Sequence, residues 1–313
     1  MNFNIFNFNR FGAYDNYDSM DFEYEFNLSG DNDDVQNDGN DVDNNVNPDV
    51  NNNVNPDVNN NINNQNNINN QGVNLQLPDP QNLNDNLFVA MNAYNHISAH
   101  YGNGLGSSNK LFVNSGTDHA PSGTSYFTSG ENKTREYQRI NNSNREITSA
   151  RYNPDGSIVP SHTPQYIHNA FNSRAQNCGE LAHMAGNFVH WNYPNMPVAT
   201  VSWVNHQACL IGTLPYNPLP PDMTQWPNHL VVCDPWMGVV CPANEFPIRA
   251  QQRLKQMEGE GVFLQKHEPA YLPDGTQTYP FSPPTDPYWV NMFQGGPTGL
   301  MTMTMFYDPN GFA

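Results

Sequence analysis

Two stretches lie close together in the chain and decide its fold: Cys178–Trp191, CGELAHMAGNFVHW, and Val198–Leu214, VATVSWVNHQACLIGTL. In the first, Leu181, Met184, Ala185 and Phe188 recur at three- and four-residue intervals, the spacing of one face of an amphipathic helix. In the second, β-branched and aromatic residues take over, which predicts strands over 198–204 and 207–214, the later one opened by His206. Working outward, Leu230–Cys233 and Gly238–Cys241 read as two further strands. Gly299–Tyr307, GLMTMTMFY, alternates strictly and predicts a half-buried strand. Upstream, Leu87, Met91, Tyr94, Ile97 and Tyr101 share one helical face, and Tyr137–Tyr152 reads as a short helix ending at the turn residues Asn153-Pro-Asp-Gly. Gly102–Gly130, rich in Gly and Ser, reads as loop. Helices early and strands late, with short connections, predict an α+β fold with an antiparallel sheet. A doubly wound nucleotide-binding fold is disfavoured, and no glycine fingerprint for phosphate occurs.

Composition divides the 313 residues unevenly. Of 51 asparagines, 29 fall in residues 1–86, which also hold 15 acidic residues against one base, Arg10, and so carry −14 of the net charge of −18. The acidity belongs to this segment and says little about the partner of a folded core. The segment has too little apolar surface to offset a backbone ordering cost of about 1–2 kcal/mol per residue. It holds two copies of VNPDVNNN, at Val46–Asn53 and Val54–Asn61, too few for a stacked solenoid to cover its own ends. Expected, then, are a disordered Asn-rich tail over 1–86 and one globular domain of ordinary size over 87–313. Phe3, Phe6, Phe8, Phe11 and the aromatics up to Phe26 mark the first 27 residues as a candidate docking or secretion segment.

Several classes drop out. No run of 18 apolar residues is present to span a membrane as a helix. The opening MNFNIFNFNRFG lacks the charged start and apolar stretch of a Sec signal peptide. Four cysteines are too few for a disulfide scaffold. The basic stretch Arg249 to Lys255 is short and offset by nearby Glu, so a nucleic-acid footprint is not expected. Neither a metal nor a cofactor is expected: Cys178, Cys209, Cys233 and Cys241 lack the paired short spacing of a zinc site, and a Cys233–Cys241 disulfide could form only as a hairpin cross-link.

Three stretches carry the candidate chemistry: QNCGELA from Gln176, VNHQACLIG from Val204, and HLVVCDPW from His229. Cys178 opens a helix, where backbone N–H groups and the dipole favour a thiolate. Gly179 removes a side chain beside the sulfur, so a carbonyl carbon could approach. His206 opens a strand, and Asp234 closes one that Pro235 stops. A thiol needs a base and the imidazole needs a third group to fix its tautomer, roles that His206 and Asp234 on adjacent strands would fill. His229, five residues before Asp234, would point to the opposite face. His183 and His190 lie along the Cys178 helix and cannot swing back to its start. Trp236 would either wall the site or anchor the core.

NCGE at Asn177–Glu180, NHQACLIG at Asn205–Gly212 and VVCDPWMGVV at Val231–Val240 together resemble the papain-like and transglutaminase-like cysteine hydrolases of bacterial secreted effectors and toxins. That resemblance, spanning roughly residues 165–245, implies Cys178 as nucleophile, His206 as base and Asp234 as orienter, with Gln176, the Cys178 amide and, less directly, Asn172 as oxyanion donors. Position 172 is Asn where the plant and lysosomal proteases carry Gln, and the 28-residue Cys–His gap is short for the family. The expected activity is hydrolysis or acyl transfer at an amide of a protein substrate through a thioester, as a protease or a glutamine deamidase. The expected setting is an effector delivered into another cell by a non-Sec route, or else the cytoplasm. The rival is a catalytically inactive binding protein that recruits a partner through its aromatic N-terminus.

Overall fold

In the computed structural model, which describes residues 77–113, 130–215, 218–271, 275, 277–303 and 306, the cysteine-bearing helix and the strands after it form the centre of the molecule. The helices are α1 (Leu83–Gly102), α2 (Gly130–Arg151), α3 (Pro164–Asn172), α4 (Cys178–Asn192), α5 (Phe246–Gly259) and α6 (Pro287–Gln294). The strands are β1 (Lys110–Phe112), β2 (Val198–Trp203), β3 (His206–Ile211), β4 (Val231–Asp234), β5 (Val239–Pro242), β6 (Val262–Gln265), β7 (Ala270–Tyr271), β8 (Gln277–Thr278), β9 (Phe281–Ser282) and β10 (Gly299–Thr302). The fold class is α+β, as the sequence predicts.

The main sheet has the order β10-β2-β3-β4-β5, antiparallel throughout. A smaller antiparallel sheet, β1-β6-β9, and the β7–β8 hairpin complete the described strands. Alternation along the strands sends successive side chains to opposite faces. Cys209 and Cys233 are register partners and share a face. Cys233 donates to the Ala90 carbonyl of α1, and a side chain at Gly186 of α4 would touch the Cys209 sulfur, so α1 and α4 cover that face. The opposite face carries Trp203, which packs on Phe246 of α5 and Phe293 of α6. The sheet is thus sandwiched between two helical layers.

Local sequence explains where the elements start. Asn82 caps α1, its side chain accepting from the N–H groups of Asn84 and Asp85. Val89, Ala90, Ala93, Ile97 and Tyr101 form its buried stripe. Thr163 caps α3, with Pro164 at the first helical position, where a missing N–H costs nothing. Leu181, Met184, Ala185 and Val189 are the buried apolar residues by which α4 enters the core.

Several expectations shift. The compact unit begins at Leu77, so residues 77–86, expected in the tail, belong to it; residues 1–76, with the repeats and the aromatic N-terminus, lie outside the described residues. Gly102–Gly130 is not all loop, because Lys110–Phe112 pairs with β6. Of the strand expected over Gly299–Tyr307, the structure shows β10 alone, an edge strand whose Gly299, Met301 and Thr302 are exposed; residues 304–305 and 307 lie outside the described residues. A strict alternation marks a buried face only when something packs on it. α3, α5, α6 and the smaller sheet were not anticipated. Among the described residues no helix is long and apolar enough to cross a membrane.

Candidate functional site

Cys178, His206 and Asp234 come together where α4 begins and the β3–β4 ladder ends. That ladder pairs Cys209, Leu210 and Ile211 with Cys233, Val232 and Val231. One step further Asp234 comes abreast of Ala208, and His206, two residues on, is its diagonal neighbour on the same face. His206 Nε2 donates to Asp234 Oδ2 at 2.5 Å, with the two side chains 1% and 0% exposed. Nδ1 is the ring nitrogen left for the thiol, and Cys178 is in hydrogen-bonding contact with the imidazole. The body of α4 does not face His206 and Asp234 but covers the opposite side of β3, where Gln207 and Cys209 point. Cys178, the first residue of the helix, reaches the imidazole.

Electrostatics favour a charged imidazole. Burial opposes the charge, but the Asp234 carboxylate, its hydrogen bond and the neighbouring Cys178 sulfur outweigh it and raise the pKa of His206. Trp203, Trp236 and Phe293 enclose the ring, with centroids at 5.7, 5.1 and 5.3 Å. Such aromatic faces suit a cation and exclude water. All four cysteines are free, and Cys178 alone is only partly buried. Burial pushes the Cys209 thiol up to about 12, and the Cys233 and Cys241 thiols are likewise raised. Cys241 pairs across the hairpin with Val232, not Cys233, so those two cysteines point to opposite faces and no cross-link is possible.

The turn after Asp234 is held from all sides. Asp234 Oδ1 accepts from Met237 N–H at 2.9 Å, and its carbonyl accepts from Gly238 N–H at 2.8 Å. Gly238 has φ of 77°, a left-handed conformation that closes the turn and favours glycine. Arg253 of α5 donates to the Met237 carbonyl at 2.8 Å. Trp236, 2% exposed, packs on His206 and donates through Nε1 to Ser107 Oγ and Asn109 Oδ1, each at 3.1 Å. It both walls the imidazole and anchors the core.

On the other flank Ser107 Oγ donates to Asn177 Oδ1 at 2.5 Å, and Asn177 Nδ2 donates to Ser108 Oγ at 3.2 Å. The segment from Leu105 to Lys110 therefore bridges the residue before Cys178 and the residue two after Asp234. Arg139 of α2 pins that segment by donating to the carbonyls of Leu105, Ser107 and Lys110 at 2.8, 3.1 and 2.5 Å. Glu180, in the first turn of α4, accepts from Arg151 at 2.6 and 3.1 Å, from Tyr166 Oη at 2.6 Å and from Asn177 N–H at 2.9 Å. Burial works against its charge, but Arg151 and these donors bring its pKa down to about 2. A Cβ at Gly179 would come within 3.1 Å of Gln207 Oε1, so a larger residue there would press on the end of that side chain.

The amides expected as oxyanion donors lie elsewhere. Gln176 Nε2 donates to the carbonyls of Ala170 and Ser173 at 3.1 and 2.6 Å, and Asn172 Nδ2 donates to the His168 carbonyl at 3.1 Å and touches its ring. Both are committed to the end of α3. The first-turn N–H groups of α4, starting at Cys178, are the donors at hand. His229 Nε2 donates to the Thr213 carbonyl at 2.8 Å, and His183 Nδ1 to that of Gly179 at 2.8 Å, so neither serves the thiol. Among the described residues no cluster of three or more His, Cys, Asp and Glu is placed to hold a metal. Ser107, Asn109, Lys110, Arg139 and Arg151 escaped the sequence reading. A lysine directly before the apolar run LFV was the one signal available.

No protein-family model matches this chain, and none of the curated proteins or solved structures matches it significantly.

Proposed function

We propose that the chain is a cysteine-dependent amide hydrolase or acyl transferase with a papain-like arrangement, acting on a protein substrate as a protease or a glutamine deamidase. The observation that carries this reading is the buried His206–Asp234 pair touching a partly exposed Cys178 at a helix start. Asp234 holds Nε2 and stabilises the imidazolium, so Nδ1 is set to take the thiol proton. The sulfur attacks the amide carbonyl carbon, and the electron pair of the C=O bond moves to an oxygen that faces the first-turn N–H groups of α4. Collapse breaks the C–N bond, and the departing amine or ammonia takes the proton from His206. The acyl group remains on sulfur as a thioester. Water then attacks with His206 as base, releasing the acid and returning the proton to the thiol.

The test is site-resolved alkylation at about pH 6, where an ordinary thiol of pKa near 8.5 is under about 1% ionised. Burial alone makes Cys209, Cys233 and Cys241 slow, so the decisive comparison is Cys178 in the intact protein against His206→Ala. Rapid labelling of Cys178 that falls about 100-fold or more in the variant is the expected result. Equal rates in the two proteins sink the activated-thiol reading.

A further inference from the structure

We propose that Lys110 is a positioning residue of the Cys178–His206–Asp234 group, holding the turn after Asp234 in place and the Trp236 indole against the imidazole. This rests on the reading of that group as an activated thiol. Lys110 opens β1 and is 1% exposed, a place where an amine is seldom found without a task. Its Nζ donates to the Trp236 carbonyl and lies 4.3 Å over the Trp236 ring and 5.6 Å from the Tyr101 ring centroid. Trp236 in turn packs against His206. One side chain thus grips the backbone two residues after Asp234 and backs the indole that walls the imidazole.

The charges facing Lys110 are mixed. Arg253 of α5 repels it, while Asp234 of β4, Cys178 of α4 and Glu260 after α5 attract it; burial and Arg253 together bring its pKa down to about 7. From α2, Arg139 donates to the Lys110 carbonyl while paired with Glu136, which holds the backbone and leaves Nζ to the site. The effect of Lys110 on Cys178 therefore runs through the turn: loosening it moves Asp234 and Trp236 against His206. A lysine that merely fills space has no such link to the reactivity of Cys178.

The experiment follows Cys178 alkylation from about pH 5 to about pH 9 in the full chain, in Lys110→Met and in Lys110→Arg. Lys110→Met is expected to slow labelling about tenfold at about pH 6 and to move its pH profile upward, and Lys110→Arg to recover part of the loss. An unchanged profile in folded Lys110→Met overturns the proposal. Should that variant fail to fold, histidine-labelled NMR of Lys110→Arg decides: a moved titration midpoint of His206 is expected, and an unmoved midpoint with unchanged Cys178 labelling overturns the proposal. The two readings fail separately. If His206→Ala leaves Cys178 as reactive as before, the hydrolase reading falls, whereas unchanged labelling in folded Lys110→Met with a His206-dependent thiol removes the lysine's role alone.

Discussion

Two buried carboxylates flank the first turn of α4, and their ion pairs are nearly alike in length. Asp234 meets His206 at 2.5 Å, and Glu180 meets Arg151 at 2.6 Å. The difference lies in what the cation can do. A guanidinium does not give up its proton in a protein, so Glu180–Arg151 can only fix structure. An imidazole exchanges its proton near neutral pH, so His206–Asp234 can hold a base in place while the base works. Glu180 spends its oxygens on Arg151, Tyr166 and the Asn177 N–H, fastening the start of the helix. Asp234 spends one oxygen on its own turn and the other on the imidazole. Similar geometry thus suits stiffness on one side of Cys178 and, in the proposed mechanism, proton movement on the other.

Replacing Asp234 is expected to give the largest effect. Asp234→Asn removes the charge that keeps the imidazolium stable and sets an amide against Nε2, so the pKa of His206 falls from its raised value of about 10 towards that of an ordinary histidine. Cys178 labelling at about pH 6 is expected to drop about 100-fold, approaching that of His206→Ala. A variant that labels as fast as the parent would remove Asp234 from the mechanism. The stabilisation that the raised pKa represents is fully present below about pH 6.5 and lost as the pH rises through about 10, so Asp234→Asn also flattens alkaline unfolding.

Glu180→Gln makes the opposite split. Breaking a fully buried pair costs about 3–5 kcal/mol, but the Arg151 side chain is 41% exposed, and solvent screening brings the expectation to about 2 kcal/mol. Urea unfolding reads this as a lower midpoint with an unchanged slope. Labelling of Cys178 in the folded variant should stay within about threefold of the parent, since no proton moves through Glu180. A stable Glu180→Gln protein with a sluggish thiol would reverse the contrast.

The sequence made one of these pairs legible and hid the other. Cys178, His206 and Asp234 stand at element ends that helix and strand periodicity locate, and their types announce their chemistry. In the sequence Glu180 is only the last residue of the NCGE stretch, because its partner lies 29 residues earlier at the end of α2 and no local pattern links the two. The 105–110 segment is harder still. Gly and Ser there predict loop, and only pairing with β6, about 150 residues later, turns Lys110–Phe112 into a strand and buries the lysine. Side chains that act by type can be read locally, whereas those that act by where the fold puts them cannot. Gln176 makes the point in reverse: an amide two residues before Cys178 reads as an oxyanion donor, yet the C-terminal carbonyls of α3 claim it.

The smallest effect is also the cleanest separation of the two carboxylates. Glu180 has a folded pKa of about 2 against an ordinary value of 4.5, so the stability it contributes is present above about pH 4.5 and lost as the pH falls through about 2. Parent and Glu180→Gln should therefore unfold with a constant gap above about pH 5 that narrows by about 1 kcal/mol near pH 3 and closes below the folded pKa. Asp234→Asn, whose contrast with the parent runs through a histidine, should show its change on the alkaline side. A gap for Glu180→Gln that stays constant down to about pH 2 would mean that the variant loses packing rather than charge, and that Arg151 was never what held the carboxylate in its ionised form.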